Sequence, residues 1–335
     1  MFNKYRYVDL SRIDFLTGNV TLQNTANCYV IKKSGKYCFP IVYGNAIKDG
    51  KYNTAAYELF FRVIDCRQNR IKSPFILDGV SYKELSVKVL WNYGLELSKI
   101  KFNFKNTQIK FKAKVVNELG GNATIGLYID GEFYWTWHIW YFPHKLSLVP
   151  IKYKRKKRIP DKYNDYLLPV PLGFCGDFNK SVVDKVCYYD LDMSISFLDE
   201  YLTKYPPFIR GGYWFYKERI KTILDPCPAG FKIPYSFTMS ELIKNSKSIM
   251  YIHSKKPCIK LVFNEEQHLL LESSTIGSRN DCFDFYCNTG RFIVYRDLVD
   301  SNNRTIHYAP FFNRPQHNYK CYCQILPCLD LGRKR

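Results

Sequence analysis

Apolar residues recur with a period of two over most of the first 145 positions, the pattern of strands with one buried face. Gln108 to Val116 is the clearest case, with Ile109, Phe111, Ala113 and Val115 on one side and lysines between them. Val87 to Trp91 and Ile100 to Phe104 alternate in the same way. Ala26 to Tyr43 reads as two short strands around Ser34-Gly35, a hairpin with Cys28 and Val30 on one face and Tyr29 and Ile31 on the other. Gly120-Gly121-Asn122 turns the chain into a strand from Ala123 to Ile129. Asp130-Gly131 then fits a type I′ turn, whose two central residues both need positive φ. The strand that follows, Phe133 to Trp140, is heavy on both sides. Trp135, Trp137 and Ile139 project one way, and Tyr134, Thr136, His138 and Trp140 the other. Short strands separated by such turns predict a β-sandwich over residues 18–145.

The pattern then breaks. Residues 146–165 form a basic linker containing KYKRKKR, in which Lys152, Lys154, Arg155, Lys156, Lys157 and Arg158 precede Pro160. Leu168 to Phe174, punctuated by Pro169, Pro171 and Gly173, opens a second module over residues 166–330. A helix is expected from Met193 to Lys204, stopping before Pro206-Pro207. Thr238 to Glu241 has the spacing of a capping box and predicts a short helix from Met239 to Ser246. Cys258 to Phe263, Glu266 to Leu271, Phe292 to Tyr295, Thr305 to Tyr308 and Tyr319 to Leu326 read as strands. The expected fold class is therefore mainly β with α+β: a β-sandwich followed by an α+β module.

Composition strengthens the β reading, because 28 Tyr and 24 Phe suit a pleated surface better than a helix. Fifty Lys and Arg against 30 Asp and Glu leave a formal charge of +20. A field of that sign attracts nucleic acid, acidic polysaccharide or another anionic partner without choosing among them. Much of the charge is lysine scattered through strand-like segments, where it protects edges and keeps the chain soluble. Two aromatic groups are candidates for ligand contact as well as packing: Trp135, Trp137 and Trp140, and Tyr213 with Trp214 between glycines and basic residues.

Phosphate-cradling glycine loops, the nucleophile elbow and helix-borne zinc signatures do not occur, so no catalytic residue, metal ligand or cofactor is assigned. His317, Cys321, Cys323 and Cys328 offer metal-binding atoms, but not at zinc-site spacing. No 18-residue apolar run and no export signal is read in the chain. Of the twelve cysteines, some are expected to form disulfides if the protein is exported, and they are small buried hydrophobes if it is cytosolic. Cys227, held rigidly between Pro226 and Pro228, suits a structural disulfide better than a reactive thiol.

Several stretches carry a resemblance. Ala26-Asn27-Cys28-Tyr29-Val30-Ile31, Gly35-x-Tyr37-x-Phe39-Pro40, Val42-Tyr43-Gly44-Asn45-Ala46, Gly121-Asn122-Ala123, Trp135 to Trp140 and Leu172-Gly173-Phe174 resemble fimbrillin-like cell-surface proteins of Bacteroides-type bacteria. Asp225 to Pro234, Gly277-Ser278-Arg279 and the terminal Cys328 resemble the Fibrobacter succinogenes major paralogous domain, which is similar to C-type-lectin and sulfatase-modifying-factor folds. The resemblance implies an exported, non-catalytic structural or adhesive protein of the cell surface or outer membrane, with glycan or a surface protein as partner through loops of a C-type-lectin-like second module. One disulfide is expected, Cys227 with Cys328. Two other functions remain open: a polyanion-binding protein using the basic linker, and an enzyme related to sulfatase-modifying factors.

Overall fold

The computed structural model describes residues 7–57, 70–145, 147–151, 165–177, 182–185, 189–190 and 221–234, and shorter segments at 238–239, 241–242, 247–253, 256–262, 268–272, 282–287, 290–296, 306–312, 322–323 and 328–329. The chain is mainly strand, in mixed sheets. It divides into two compact units, and the division is interleaved. Met1–His144 groups with Asp192–Gly230, and Lys145–Leu191 groups with Phe231–Arg335. The stretch Asp225 to Pro234, which the sequence reading places whole in a continuous second module, is therefore split after Gly230.

The first unit contains ten strands among its described residues: β1 (Val8–Asp9), β2 (Cys28–Ile31), β3 (Gly35–Pro40), β4 (Ile47–Lys48), β5 (Lys51–Tyr52), β6 (Leu85–Tyr93), β7 (Leu95–Asn103), β8 (Gln108–Val115), β9 (Gly121–Ile129) and β10 (Glu132–Tyr141). Eight of them form two four-stranded sheets, ordered β1-β3-β8-β7 and β2-β10-β9-β6. β1 pairs parallel to β3, and β2 parallel to β10.

The buried faces of these sheets share one aromatic core. Tyr29 of β2 stacks on Phe39 of β3 with ring centroids 5.0 Å apart, and Trp137 of β10 reaches the same Phe39 at 5.1 Å. Phe111 of β8 adds an edge contact to Phe39 at 6.1 Å. Ile109, Phe111 and Ala113 are buried, as their alternation predicts, and so are Ala123, Ile125, Leu127 and Ile129 of β9.

β2 and β3 do not form the expected hairpin. They lie in different sheets, with Tyr29 stacked on Phe39 across the core. The reason is visible in burial: Cys28, Tyr29, Val30 and Ile31 are all buried, so β2 is covered on both faces and alternation in it identifies no solvent side.

A second change of sheet occurs at glycines. β6 passes into β7 at Gly94, whose φ is +65°, and β8 passes into β9 through Gly120 and Gly121. The Gly94 carbonyl accepts from the amides of Val116 and Asn117 at 3.0 and 3.1 Å, tying the two crossings together. A Cβ on Gly121 would lie 2.7 Å from the Gly94 carbonyl group, a backbone contact that cannot swing away. The turn at Asp130-Gly131 does form as the sequence predicts, with φ of +53° and +81°.

The second unit is described mostly at the level of its strands. Val149–Ile151, Asp165–Leu167, Cys328–Leu329 and Phe231–Lys232 follow one another in a four-stranded sheet. Two antiparallel three-stranded sheets comprise Lys247–His253, Lys256–Val262 and His268–Glu272, and Cys282–Cys287, Gly290–Arg296 and Ile306–Phe312. Lys247–His253 and Cys282–Cys287 are strands that the sequence reading did not identify. Thr238, Met239, Glu241 and Leu242 are helical, at the place the capping box predicts. Residues 243–246 and the expected helix from Met193 to Lys204 lie outside the described residues. Leu168, Val170, Leu172 and Phe174 are buried.

The glycine crossing makes a direct prediction. Replacing Gly121 with Ala should cost about 2 kcal/mol through overpacking against backbone. Gly131→Ala, which meets no atom within 4 Å, should cost only about 1 kcal/mol for its positive φ. Urea denaturation of the two variants checks the order, and equal losses would contradict the close approach at Gly94.

Candidate functional site

The most heavily built polar site of the first unit lies where Asn27, just before β2, meets Trp135 of β10 and the distant segment 221–230. Asn27 is fully buried. Its Oδ1 accepts the indole N–H of Trp135 at 3.1 Å, and its Nδ2 donates to the carbonyls of Ile223 at 2.7 Å and Asp225 at 2.9 Å. One amide thus satisfies three buried groups, one 108 residues and two nearly 200 residues along the chain from it. Gly44 makes room for it, since a Cβ there would fall 2.4 Å from the Asn27 side chain.

The remaining contacts run parallel to this one. Asn45 Nδ2 donates to the Lys221 carbonyl at 2.6 Å, and the Ile223 amide donates to Ala56 at 3.2 Å. Cys28 forms a parallel bridge with Pro228.

Within the docked segment Lys221 and Asp225 face each other, Nζ to Oδ1 at 3.9 Å, with side chains 3% and 0% exposed. Two buried charges are tolerable only when paired and hydrogen-bonded, and both conditions hold. Lys221 Nζ donates to the carbonyls of Cys227 at 3.3 Å and Pro228 at 3.1 Å, while Asp225 Oδ1 accepts the Cys227 amide at 2.8 Å.

Cys227 is a free, fully buried thiol, so the expected disulfide with Cys328 is not formed in this structure. Cys227 belongs to the first unit, inside the Lys221–Asp225 network. The backbone of Cys328 pairs with Leu167 and Lys232 in the second. Burial pushes the Cys227 thiol well above its ordinary range, the Asp225 carboxylate adds to that, and Lys221 opposes it. A thiol held protonated in this way is a poor nucleophile. Cys38 is also free, and burial raises its thiol to about 12.

The Trp-rich strand is packing throughout. Trp135, Trp137 and Trp140 are 5%, 0% and 0% exposed, so none offers a ring face to a ligand. Trp135 meets Tyr43 edge-on at 4.9 Å, and Trp140 meets Phe142 at 5.2 Å. On the same face of β10 as Trp140, His138 is wholly buried with Nε2 2.7 Å from Asn122 Oδ1. Burial lowers its pKa to about 3, so the imidazole is neutral at physiological pH.

Tyr213, Trp214 and the linker residues Lys152, Lys154, Arg155, Lys156, Lys157 and Arg158 lie outside the described residues. The sequence reading used Asn27 only as part of a resemblance and did not identify it as a hub. Its only local signal is a polar residue directly before an apolar run. Among the described residues no group of three or more His, Cys, Asp or Glu side chains could hold a metal ion. Comparisons with protein families, characterised proteins and solved structures find nothing that matches this chain.

Two measurements follow from the buried groups. Asn27→Ala strands an indole N–H and two carbonyls in the interior and should lower unfolding stability by about 3 kcal/mol or more. A loss under 1 kcal/mol in denaturant titration would contradict its role. His138 has a folded pKa below its unfolded value near 6.5. The stability it contributes is complete above pH 6.5 and is lost as pH falls towards 3, by at most about 1.4 kcal/mol per pH unit. Denaturation at pH 7 and pH 4 should show a smaller difference in His138→Gln than in the parent, and identical differences would contradict a buried neutral imidazole.

Proposed function

We propose that the chain is a non-catalytic structural or adhesive protein whose first unit is a β-sandwich scaffold. The observation that carries this reading is the destination of the buried polar groups. Asn27, Lys221, Asp225 and the Cys227 amide make hydrogen bonds to one another, to the Trp135 indole and to backbone carbonyls. That arrangement joins distant parts of the chain and turns no acid, base or nucleophile towards a substrate. Among the described residues, His138, Cys38 and Cys227 are held in their neutral forms by burial.

The resemblance of Ala26 to Asn45 and Trp135 to Trp140 to fimbrillin-like proteins supports placement on the cell surface, and that of Asp225 to Pro234, Gly277-Ser278-Arg279 and Cys328 to the Fibrobacter succinogenes major paralogous domain supports a lectin-like second module presenting loops to a glycan or protein. The free Cys227 removes one argument for an oxidising compartment, so this placement rests on the resemblance alone. A polyanion-binding function is the second reading, favoured by where the lysines of the first unit fall.

Protease treatment and antibody labelling of intact cells of the native host test the first reading. The protein should be labelled and degraded without lysis. Protection until lysis would overturn the surface reading and leave the polyanion reading standing.

A further inference from the structure

The period-two pattern that buries Ile109, Phe111 and Ala113 also puts Lys110, Lys112 and Lys114 on the opposite side of β8. Sheet register gathers more lysines around them. Lys36 of β3 lies opposite Lys112, and Lys101 of β7 opposite Lys110. β7 carries an irregularity between Ser98 and Lys101, and within it Lys99 adopts a φ of +52°, a left-handed conformation uncommon for any residue but glycine. The Lys99 ammonium lies close enough to Lys112 that its charge is the main cause holding the Lys112 pKa below its ordinary value, with Lys36 a lesser contributor.

Like charges placed directly opposite on a sheet are destabilising, and here they recur on neighbouring rungs. Among the described residues, the acidic groups that meet these strands sit at the margins. Glu96 engages Lys114 at 3.4 Å, and Asp9 at the β1 edge is held by Arg12 at 3.8 Å and Gln108 at 3.3 Å.

We propose that the outer face of the β1-β3-β8-β7 sheet binds a linear acidic polysaccharide, with Lys36, Lys99, Lys101, Lys110 and Lys112 as its contacts. The arrangement matches a rod of regularly repeating charge. Successive outward residues on one strand are about 7 Å apart and neighbouring strands about 5 Å apart, so the ammonium groups form a grid rather than a pocket. The side chains are lysines without an arginine among them. Lysine meets sulfate, carboxylate and phosphate alike as a point charge, without the bidentate fork by which arginine selects carboxylate and phosphate. Base stacking would need exposed rings between the lysines. Tyr7 meets the grid with its ring under the Lys110 ammonium at 5.3 Å, and the exposed Phe104 packs against Phe102 at 4.6 Å beyond the end of β7. These features favour polysaccharide over nucleic acid, and they place the contact on the folded sheet instead of the 152–158 run. The proposal concerns a surface of its own and does not depend on the cell-surface reading.

Heparin serves as the probe, titrated against the full-length protein at low and moderate salt, with single-stranded and duplex DNA as competitors. The parent should bind heparin in a salt-sensitive manner and more tightly than either DNA. Lys110→Gln with Lys112→Gln, and separately Lys99→Gln with Lys101→Gln, should each weaken binding about tenfold or more and flatten the salt dependence. Lys51→Gln with Lys72→Gln, exposed lysines away from this face, should leave affinity within about twofold. Melting temperatures of the face variants should be unchanged or raised, because repulsion is relieved, which separates lost binding from lost folding. Undiminished binding in both face variants, loss only when the six basic residues of 152–158 are neutralised, absence of heparin binding, or tighter binding to DNA would each overturn the proposal.

Discussion

The first unit depends on the side-chain amide of Asn27. Two sheets sharing Tyr29, Phe39, Phe111 and Trp137 make a core that apolar burial can stabilise, but hydrophobic contact alone does not specify what closes its end. Asn27 supplies direction. Its oxygen fixes the Trp135 indole, and its nitrogen fixes two consecutive-but-one carbonyls of the segment that arrives from residue 221. A buried amide with each hydrogen bond made is worth more for specificity than for net stability, since the alternative is unpaired polar groups in a low-dielectric interior. The Lys221–Asp225 pair has the same character: it sets the shape of the docked segment and leaves its backbone groups where Asn27 and Asn45 reach them.

This arrangement makes the chain's order differ from its spatial order. A segment assigned by sequence to a second module completes the first: the chain leaves that unit after His144, rejoins it, and leaves it for the last time after Gly230. Closing so long an excursion carries an entropic cost that grows slowly with length, which explains why the closure carries two asparagine side chains, a backbone bridge at Cys28 and Pro228, and a buried ion pair. The free thiol at Cys227 belongs to the same logic. The prolines on either side do hold it in place, but what they position is the backbone amide and carbonyl that Asp225 and Lys221 use.

Local features were legible where the physics is local. Alternation gave β8 its buried face, the pair Asp130-Gly131 gave a turn with two positive φ values, and both faces of β10 were read as heavy and are buried. Sheet membership was not legible. β2 is buried on both sides, so alternation could not distinguish a hairpin from two strands facing each other across a core. The same ambiguity hid the passage from β8 to β9, where a glycine-rich turn changes sheet. The site was less legible still. Lys221 and Asp225 have the spacing of a helical ion pair yet belong to a non-helical segment, and the partners of Asn27 lie from 108 to 198 residues away. The lysines of β3, β7 and β8 look scattered in sequence because register alone brings them to one face.

The central claim is that segment 221–230 is an integral part of the first unit. Native-state hydrogen exchange followed by mass spectrometry tests it most directly, because amides opening in one cooperative unit exchange with a common free energy. The account predicts that the amides of Ile223 and Cys227, which donate to Ala56 and Asp225, are protected to the same degree as those of β10 and lose protection together with them. Rapid exchange of residues 221–230 while β10 stays protected would show a segment that merely rests on the unit, and would contradict the account.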